Sequence, residues 1–361
     1  MHIGGTNGKG STAAFLATML RAEGLRVGLY TSPHLVSFTE RMQVDGVPVS
    51  EAAVAAWVAR LEGPAERLEA SFFEITTAVA FADCAARGAE IAVVEVGLGG
   101  RLDATNVIMP LAAGVTRIAL EHTDYLGPEL TGIAREKAGI AKPGVPLLTT
   151  EQDPVLLAAM REVADAAGTS LVAVDSGAAA GRPLGLKGPH QVANASLALA
   201  LAAALPAPFR PGAAAVTAGL AAARVPGRFD RRGRWLFDVA HNPDGMRALI
   251  AALEAEPPPR PWLAVVAVLR DKAWREMLEL LGPKVDELLL TRAPSAPAER
   301  AWDLAEAASW CAERHLTARA EPRFDAALAE AGARSGTALV TGSFHTVGDA
   351  MARLPGFSPL G

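Results

Sequence analysis

The sequence predicts an α/β protein in which a first domain with a mostly parallel sheet is followed by a smaller, Rossmann-like α/β domain. Short apolar runs, typical of buried parallel strands, alternate along the chain with stretches of helical periodicity. At 361 residues the chain is longer than one hydrophobic core usually grows. Half of the residues are hydrophobic, which is enough for two cores.

Strands and helices are predicted from these runs. In the first part of the chain, strands are expected at residues 27–30, 91–96, 112–115, 146–148 and 171–174. Helices are expected between them at residues 75–86, 154–167 and 194–205. A second series of strands is expected at residues 235–237, 262–268, 287–290 and 338–341. The strand–helix alternation predicts a parallel sheet in each series.

The domain boundary is predicted at a proline- and glycine-containing segment. Pro226-Gly227 lies just before the second series of strands begins. We therefore expect a first domain at residues 1–224, a hinge at 225–229 and a second domain at 230–361.

Charge and cysteine content exclude several classes of protein. A net charge of −5 and the absence of a basic run argue against a nucleic-acid surface. Cys84 and Cys311 are isolated and lack metal-ligand spacing, which favours packing roles and a reducing cytoplasm. No signal segment is visible, and no apolar run approaches the roughly twenty residues of a membrane span. We expect a soluble protein with no membrane partner.

A glycine-rich stretch at the start of the chain predicts a phosphate-binding loop. It reads Gly4-Gly5-Thr6-Asn7-Gly8-Lys9-Gly10-Ser11 and leads into an apolar helix. Its glycines allow backbone N–H groups to point at an anion, and the lysine would lie along the β- and γ-phosphates. Gly10 stands where the strict P-loop pattern has Ser or Thr, so a variant P-loop is expected. The alternative is an ordinary glycine turn between a strand and a helix.

Glu95 ends an otherwise apolar strand and is followed by three glycines within five residues. A buried, unpaired carboxylate is costly, so this side chain needs a cation. Mg²⁺ beside the phosphates is the natural candidate, because hard divalent cations favour oxygen ligands. An arginine partner is the alternative.

Three more polar residues of the first domain are candidates for the site. Ser32 follows the predicted strand at residues 27–30 and could contact a metal or phosphate. His122 is an imidazole candidate for a second metal, although a lone histidine is more often structural. Lys137 precedes an apolar turn, and a solvated helix lysine is its ordinary interpretation.

The second domain carries its own polar groups at strand ends. Asp238 could hold a ribose or an adenine edge, and His241 could face a reacting centre. Ser343 and His345 belong to a turn that follows another strand. Each of these residues alone is more often an ordinary loop residue. Their joint position at strand ends favours a ligand-binding cleft.

Taken together, the motifs resemble the Mur ligase superfamily and, within it, the folylpolyglutamate synthases that also have dihydrofolate synthase activity. Six motifs occur in that family's order: the P-loop, Thr31 to Leu35 with Thr39 to Arg41, Glu95 to Asn106, Arg135 to Ile140, Pro226 to Phe229, and Asp238 to Pro243. Family members usually carry a further helical segment before the P-loop strand, so the start here is either truncated or compact.

The resemblance implies roles for individual residues. It implies that Mg²⁺ is held by Ser32, Glu95, His122 and a carbamylated Lys137. It implies that ATP is bound by Thr6, Asn7, Gly8, Lys9, Gly10, Ser11, Asn194, Arg228 and Asp238. It places Phe73 and Asp103 beside a pterin, and Lys9, Lys137 and His241 in catalysis. Ser343 and His345 are assigned to the incoming glutamate.

The reaction implied by the resemblance is ATP-dependent ligation of L-glutamate to dihydropteroate or reduced folates through an acyl phosphate. ATP is then a co-substrate, and we expect a monomer. A nucleotide switch or regulatory ATPase would also use a P-loop and Mg²⁺, but it would not need a second domain with strand-end polar groups. A superfamily ligase for another acid or amino acid is the second alternative.

Overall fold

The computed structural model describes residues 1–357, which form two compact units. The first unit comprises Met1–Pro33, Phe38–Leu186 and His190–Arg224. The second unit comprises the described residues from Val225 onwards together with His34–Ser37 and Lys187–Pro189. The last passage of the chain from the first unit to the second lies between Arg224 and Val225. That residues 225–229 act as a hinge stays a prediction.

The first unit is built on an eight-stranded sheet. Its strands are β1 (His2–Gly4), β2 (Val27–Tyr30), β3 (Met42–Val44), β4 (Val47–Pro48), β5 (Ile91–Glu95), β6 (Ala113–Val115), β7 (Leu147–Thr149) and β8 (Leu171–Ala173). They are ordered β4-β3-β2-β5-β1-β6-β7-β8. All neighbours pair in parallel except β3 with β2 and β4 with β3. The predicted mostly parallel sheet is confirmed.

Eight helices belong to the described residues of this unit. They are α1 (Lys9–Ala22), α2 (Glu51–Arg67), α3 (Phe72–Ala86), α4 (Thr123–Leu126), α5 (Leu130–Ala138), α6 (Pro154–Ala166), α7 (His190–Ala203) and α8 (Ala213–Ala222). Local sequence explains several of their starts. Ser71 and Glu74 form a capping box at α3, and Asp153 caps α6 just before Pro154.

Helix α1 follows β1 and packs against α7 and α8. Gly219 of α8 permits this packing, since a Cβ there would lie 2.4 Å from the Cα of Met19. A separate apolar cluster joins β6 and β7 to α5 and α6. The three residues of β1 are all buried, and a loop begins at the carboxyl end of this strand.

The second unit has a six-stranded sheet. Its strands are β9 (Asp230–Arg232), β10 (Trp235–Phe237), β11 (Trp262–Val266), β12 (Glu287–Leu290), β13 (Ala318–Ala320) and β14 (Thr337–Thr341), in the order β13-β12-β11-β14-β10-β9. Only β9 runs antiparallel to its neighbour within the described strands. The Rossmann-like prediction is therefore confirmed, with an antiparallel edge added.

Five helices cover this second sheet among the described residues. They are α9 (Pro243–Ala255), α10 (Trp274–Leu281), α11 (Leu304–Glu313), α12 (Phe324–Arg334) and α13 (Phe344–Arg353). Four tryptophans, Trp262, Trp274, Trp302 and Trp310, form part of the core on one side of the sheet. The ring of Trp274 meets those of Trp302 and Trp310 edge-on, at centroid distances of 5.9 and 5.8 Å.

Strand β8 differs from the prediction of a buried strand. It is the last strand of the first sheet, and its Val172 is 44% exposed. An apolar run does not distinguish a central strand from an edge strand, because neighbouring strands decide burial. Cys84 and Cys311 are both buried free thiols, as expected for packing residues. Among the described residues, no helix combines the length and apolar character of a membrane span.

Candidate active site

The carboxyl edge of the first sheet gathers the candidate residues of the first unit. Gly5 follows β1, Ser32 follows β2 by two residues, Glu95 ends β5 and Thr116 follows β6. These four strands are parallel neighbours, so the loops after them begin at the same edge. Strand β1 lies between β5 and β6. The strands that follow β1 in the sequence therefore lie on both sides of it in the sheet, β2 to β5 on one side and β6 to β8 on the other. Ligands of open α/β sheets bind at such a switch point.

Two glycines of the P-loop adopt conformations that other residues disfavour. Gly5 has φ 127°, and a Cβ there would lie 1.9 Å from the hydroxyl oxygen of Thr116. Gly8 has φ 96° and precedes α1, and a Cβ there would lie 2.2 Å from Oδ1 of Asn194. The loop therefore requires glycine at both positions, and the first N–H groups of α1 are available for an anion.

Lys9 folds over the loop that precedes it. Its Nζ donates hydrogen bonds to the carbonyl oxygens of Gly5 and Thr6, each at 3.0 Å. Lys137 of α5 also donates to the Gly5 oxygen, at 2.9 Å. Two amino groups from distant parts of the chain thus converge on one carbonyl of the loop.

Lys137 is buried, with 2% of its surface exposed, so the interpretation as a solvated helix lysine is wrong. Its Nζ also donates to Oε1 of Glu121 at 2.7 Å. Burial and then the positive charge of Lys9 lower the pKa of Lys137 to about 8, against the opposing effect of Glu121. The amine is therefore much closer to its neutral, nucleophilic form than an exposed lysine is.

Glu121 is a site residue that the sequence analysis did not assign. It directly precedes His122, which was assigned to a metal and which lies exposed at φ 48° just before α4. Burial raises the pKa of Glu121, but Lys9 and Lys137 outweigh that effect and hold the pKa below its usual value. An acidic residue next to a candidate histidine was the available signal.

The segment that carries these two residues is attached to the P-loop. The hydroxyl of Thr6 donates to the oxygen of Ala119 and accepts from its N–H, at 3.1 and 3.0 Å. Further along, buried Glu151 accepts a hydrogen bond from the N–H of Ile118 at 3.1 Å. Thr6 is therefore a structural link within the site, and any contact it makes with ATP stays a prediction.

Glu95 is a buried carboxylate close to the glycine-rich loop. It is 5% exposed, and its Oε2 accepts a hydrogen bond from the N–H of Ser32 at 3.1 Å. A Cβ on Gly10, in the first turn of α1, would lie 3.5 Å from the same oxygen. A buried carboxylate at the start of this helix fits a hard divalent cation. Within residues 1–357, no three His, Cys, Asp or Glu side chains cluster as metal ligands, so the predicted set depends on Ser32 and Lys137 as well.

Helix α7 brings Asn194 to the phosphate loop. The side-chain amide of Asn194 donates to Gln191 at 2.9 Å, and Gln191 donates to the hydroxyl of Ser11 at 3.4 Å. The hydroxyl of Thr12 donates to the Asn194 carbonyl at 3.3 Å. The helix is thus fixed against the nucleotide loop. Gln191 was missed by the sequence analysis, since only its spacing from Asn194 could have indicated it.

A cleft of about 790 Å³ opens at the same edge of the sheet. Its lining includes Ser32, Phe73, Gly97 and Asp103. Phe73 lies so close over Gly97 that a Cβ there would be 2.4 Å from the ring. On its other side Phe73 stacks on Tyr30 at a centroid distance of 6.1 Å. An aromatic wall and a glycine floor suit a flat ring.

In the second unit, Asp238 organises the segment that precedes its own strand. It is buried and accepts hydrogen bonds from the N–H groups of Phe229 and Ala240, each at 2.9 Å. Phe229 has φ 46°, so this carboxylate stabilises a strained turn. Burial raises the pKa of Asp238, although Arg228 opposes the shift.

Arg228 and His241 both approach Phe344. The guanidinium carbon of Arg228 lies 5.3 Å from the ring centroid, and the His241 ring lies 5.4 Å from it. Nδ1 of His241 is 2.9 Å from the carbonyl oxygen of Val239. Because a carbonyl only accepts, Nδ1 carries the proton of this hydrogen bond.

Ser343 and His345 make contacts within the second unit. The Ser343 hydroxyl accepts from the N–H of Thr346 at 3.1 Å and so caps α13. Nδ1 of His345 lies 3.0 Å from the Ser295 hydroxyl, and burial lowers the pKa of this histidine. Both side chains have structural partners, and their assignment to glutamate stays a prediction.

Comparison with known proteins agrees with this architecture. Residues 3–167 match the Mur ligase middle domain, and residues 227–344 match the Mur ligase glutamate ligase domain. The dihydrofolate synthase/folylpolyglutamate synthase of Escherichia coli K12 is 36% identical over 369 residues, covering 97% of this chain and 85% of that protein.

Solved structures show the same likeness. FolC of E. coli in complex with DHPP and ADP has a TM-score of 0.87 and 33% identity, covering 97% of this chain and 87% of that one. The Yersinia pestis bifunctional enzyme with AMPPNP and Mn has a TM-score of 0.85 and 34% identity, covering 97% and 87%. From its two matched domains and these relatives, the chain belongs to the Mur ligase family.

Proposed function

We propose that the chain is an ATP-dependent ligase that joins L-glutamate to dihydropteroate and to folate (poly)glutamates. One observation carries the proposal: the phosphate loop and the ring-sized cleft lie at the same edge of one sheet within one unit. Ser32 lines the cleft and bonds to Glu95, which in turn lies against Gly10 of the loop. A carboxylate acceptor held in the cleft can therefore reach the terminal phosphate of a nucleotide. The family and its relatives support the same reaction.

The reaction has two steps. The γ-phosphoryl group of ATP is transferred to the acceptor carboxylate, and the α-amine of glutamate then attacks the acyl phosphate. An amide, ADP and phosphate result. The Lys9 ammonium and the N–H groups at the start of α1 stabilise negative charge on the phosphoryl group. Thr6, Asn7, Gly8, Gly10 and Ser11 provide the remainder of the ATP-binding loop in this proposal.

The proposed metal ligands are Ser32, Glu95, His122 and a carbamylated Lys137. Bound there, Mg²⁺ supplies positive charge beside the phosphates. Asn194, Arg228 and Asp238 are also proposed to contact ATP. His241 is proposed to take the proton of the attacking amine through Nε2. Phe73 and Asp103 are proposed to contact the pterin, and Ser343 and His345 the incoming glutamate.

The proposal extends to the setting of the enzyme. We propose a cytoplasmic monomer with no nucleic-acid partner. The net charge of −5 and the two buried free thiols support this setting.

Product analysis tests the function directly. The purified protein is incubated with ATP, glutamate and either dihydropteroate or tetrahydrofolate, and the products are identified by mass spectrometry. We expect one added glutamate on each acceptor. ADP formation that ignores both acceptor and glutamate would indicate a nucleotide switch or regulatory ATPase. Product from only one acceptor would contradict the dual activity alone. Product formed only when another acid or amino acid replaces these substrates would indicate a ligase of different specificity.

Arg228→Ala is expected to lower kcat by about tenfold or more while ATP binding changes little. Arg228 follows Pro226-Gly227 within the predicted hinge, so we propose that it contacts ATP only in the state that carries out phosphoryl transfer. Steady-state kinetics and nucleotide titration measure the two effects. Arg231→Ala is the matched control, because Arg231 is exposed on adjacent β9. Equal turnover in the Arg228→Ala variant and the wild type would contradict the role.

A further inference from the structure

A buried chain of hydrogen bonds runs behind the cleft from β1 to the glycine loop. Nε2 of His2 lies 2.8 Å from the hydroxyl of Thr105, and that hydroxyl lies 2.5 Å from Oδ1 of Asp103. His2 and Thr105 are fully buried, and Asp103 is 9% exposed. Polar groups are costly to bury unless they are bonded, so the pairing of these three side chains is informative.

The directions of these hydrogen bonds follow from the chemistry of the groups. Asp103 receives the N–H groups of Gly97 and Leu98 on Oδ2, at 3.1 and 2.9 Å, and the N–H of Thr105 on Oδ1 at 3.0 Å. A carboxylate in this position only accepts, so the Thr105 hydroxyl donates to it. The same hydroxyl oxygen must then accept from His2, which places the His2 proton on Nε2.

The remaining ring nitrogen supports this assignment. Nδ1 of His2 has no hydrogen-bond partner within the part of the chain that the structure describes. Burial, followed by nearby positive charges, lowers the pKa of His2 to about 3, so the ring is neutral. A neutral histidine with one committed proton can act only as a donor to Thr105. The chain of bonds therefore has one direction, from His2 through Thr105 to Asp103.

The far end of this chain shapes the cleft. Gly97 and Leu98, which Asp103 holds through their N–H groups, line the cleft floor. Phe73 lies directly over Gly97, so a small movement of the loop changes the space beside the ring. Asp103 itself also lines the cleft. A residue that holds the Asp103 carboxylate in place therefore also holds the Gly97–Leu98 floor of the cleft in place.

We propose that His2 and Thr105 are positioning residues that set the orientation of Asp103 and the Gly97–Leu98 loop for a flat, nitrogen-containing ring of the acceptor. The inference rests on the proposed function, because it assigns the cleft to the ring-bearing substrate. Neither residue touches that substrate. Their effect passes through Asp103, whose carboxylate and bound loop meet the ring.

Thr105→Val tests the inference, because valine keeps the side-chain shape and removes the hydroxyl. We expect the KM for dihydropteroate to rise about tenfold, as when a charged group loses one hydrogen-bond partner. The KM for ATP and the kcat at saturating acceptor should stay within about twofold. Thr105→Ser should restore the acceptor KM, since it restores the hydroxyl. Thr217→Val is the control, as Thr217 donates only to its own helix at Ala213.

His2→Leu provides a second test if Thr105→Val folds poorly. It removes the donor to Thr105 and leaves the Thr105 hydroxyl in place, so a smaller rise in the same KM is expected. Unchanged acceptor KM in both variants overturns the inference, as does an equal rise in the KM for ATP and acceptor. If the wild type forms no amide product from dihydropteroate, the proposed function fails instead. The two failures are therefore distinguishable.

Discussion

Lys9→Ala is expected to lower kcat by about a thousandfold while the folded structure persists. Lys9 is the side-chain cation of the phosphate loop, and phosphoryl transfer depends on such groups to stabilise developing charge. Its hydrogen bonds to the carbonyls of Gly5 and Thr6 are local. Its removal also relieves the repulsion of Lys137 at the same carbonyl, so stability should change little.

Steady-state kinetics with saturating ATP and acceptor measure the effect, and thermal unfolding checks the fold. Lys284→Ala is the control, because Lys284 is an exposed lysine that pairs with Glu254 on the surface of the second unit. Surface pairs of this kind contribute little to stability. Turnover near that of the wild type in the Lys9→Ala variant would remove the glycine-rich loop from the active site.

Lys137→Ala is expected to lower activity by about a hundredfold or more, the scale of losing an essential metal-site group. The resemblance to the family implies a carbamate at Lys137. The Lys137 side chain is buried and lies beside Glu121. A carbamate is an anionic oxygen ligand, which suits Mg²⁺. The carbamate would also repel the Glu121 carboxylate, and Mg²⁺ held by the carbamate would offset that repulsion.

The nature of the side chain can be tested by rescue. Formate or acetate should restore part of the Lys137→Ala activity by filling the vacated space, whereas Lys137→Arg should stay inactive because a guanidinium remains positive. Carbon-13 NMR of enzyme equilibrated with labelled bicarbonate should show one carbamate signal that the Lys137→Ala variant lacks. Lys187→Ala, an exposed lysine paired with Glu256, is the control. Full activity with an unmodified Lys137 would contradict the prediction.

The fold was predictable where burial alone determines the sequence pattern. Strand β12 (Glu287–Leu290) is a central parallel strand, and its apolar run predicts its bounds. Strand β9 reads Asp230-Arg231-Arg232 and was missed, because an antiparallel edge strand needs no apolar residues. The β3–β4 hairpin was missed because strand β4 is only two residues long, which is too short for a recognisable apolar pattern.

The candidate site was predictable where residues lie at the ends of predicted strands or in one motif. Lys9 and Glu95 belong to this group. Gln191 and Ser11 are 180 residues apart, and His2 and Thr105 are 103 apart, so nothing local in the sequence joins them. The burial of Lys137 depends on Glu121 and on a carbonyl of the P-loop, which helical periodicity cannot reveal.

The tryptophans are divided unequally between the two units. Of the six in the chain, Trp57 lies in the first unit and the other five lie in the second, where Trp274 meets both Trp302 and Trp310 edge-on. Intrinsic fluorescence therefore originates mainly from the second unit, and the close indole rings favour energy transfer within it. Tryptophan emission recorded during denaturation therefore reports the unfolding of the second unit. Unfolding around the glycine-rich loop of the first unit needs another probe.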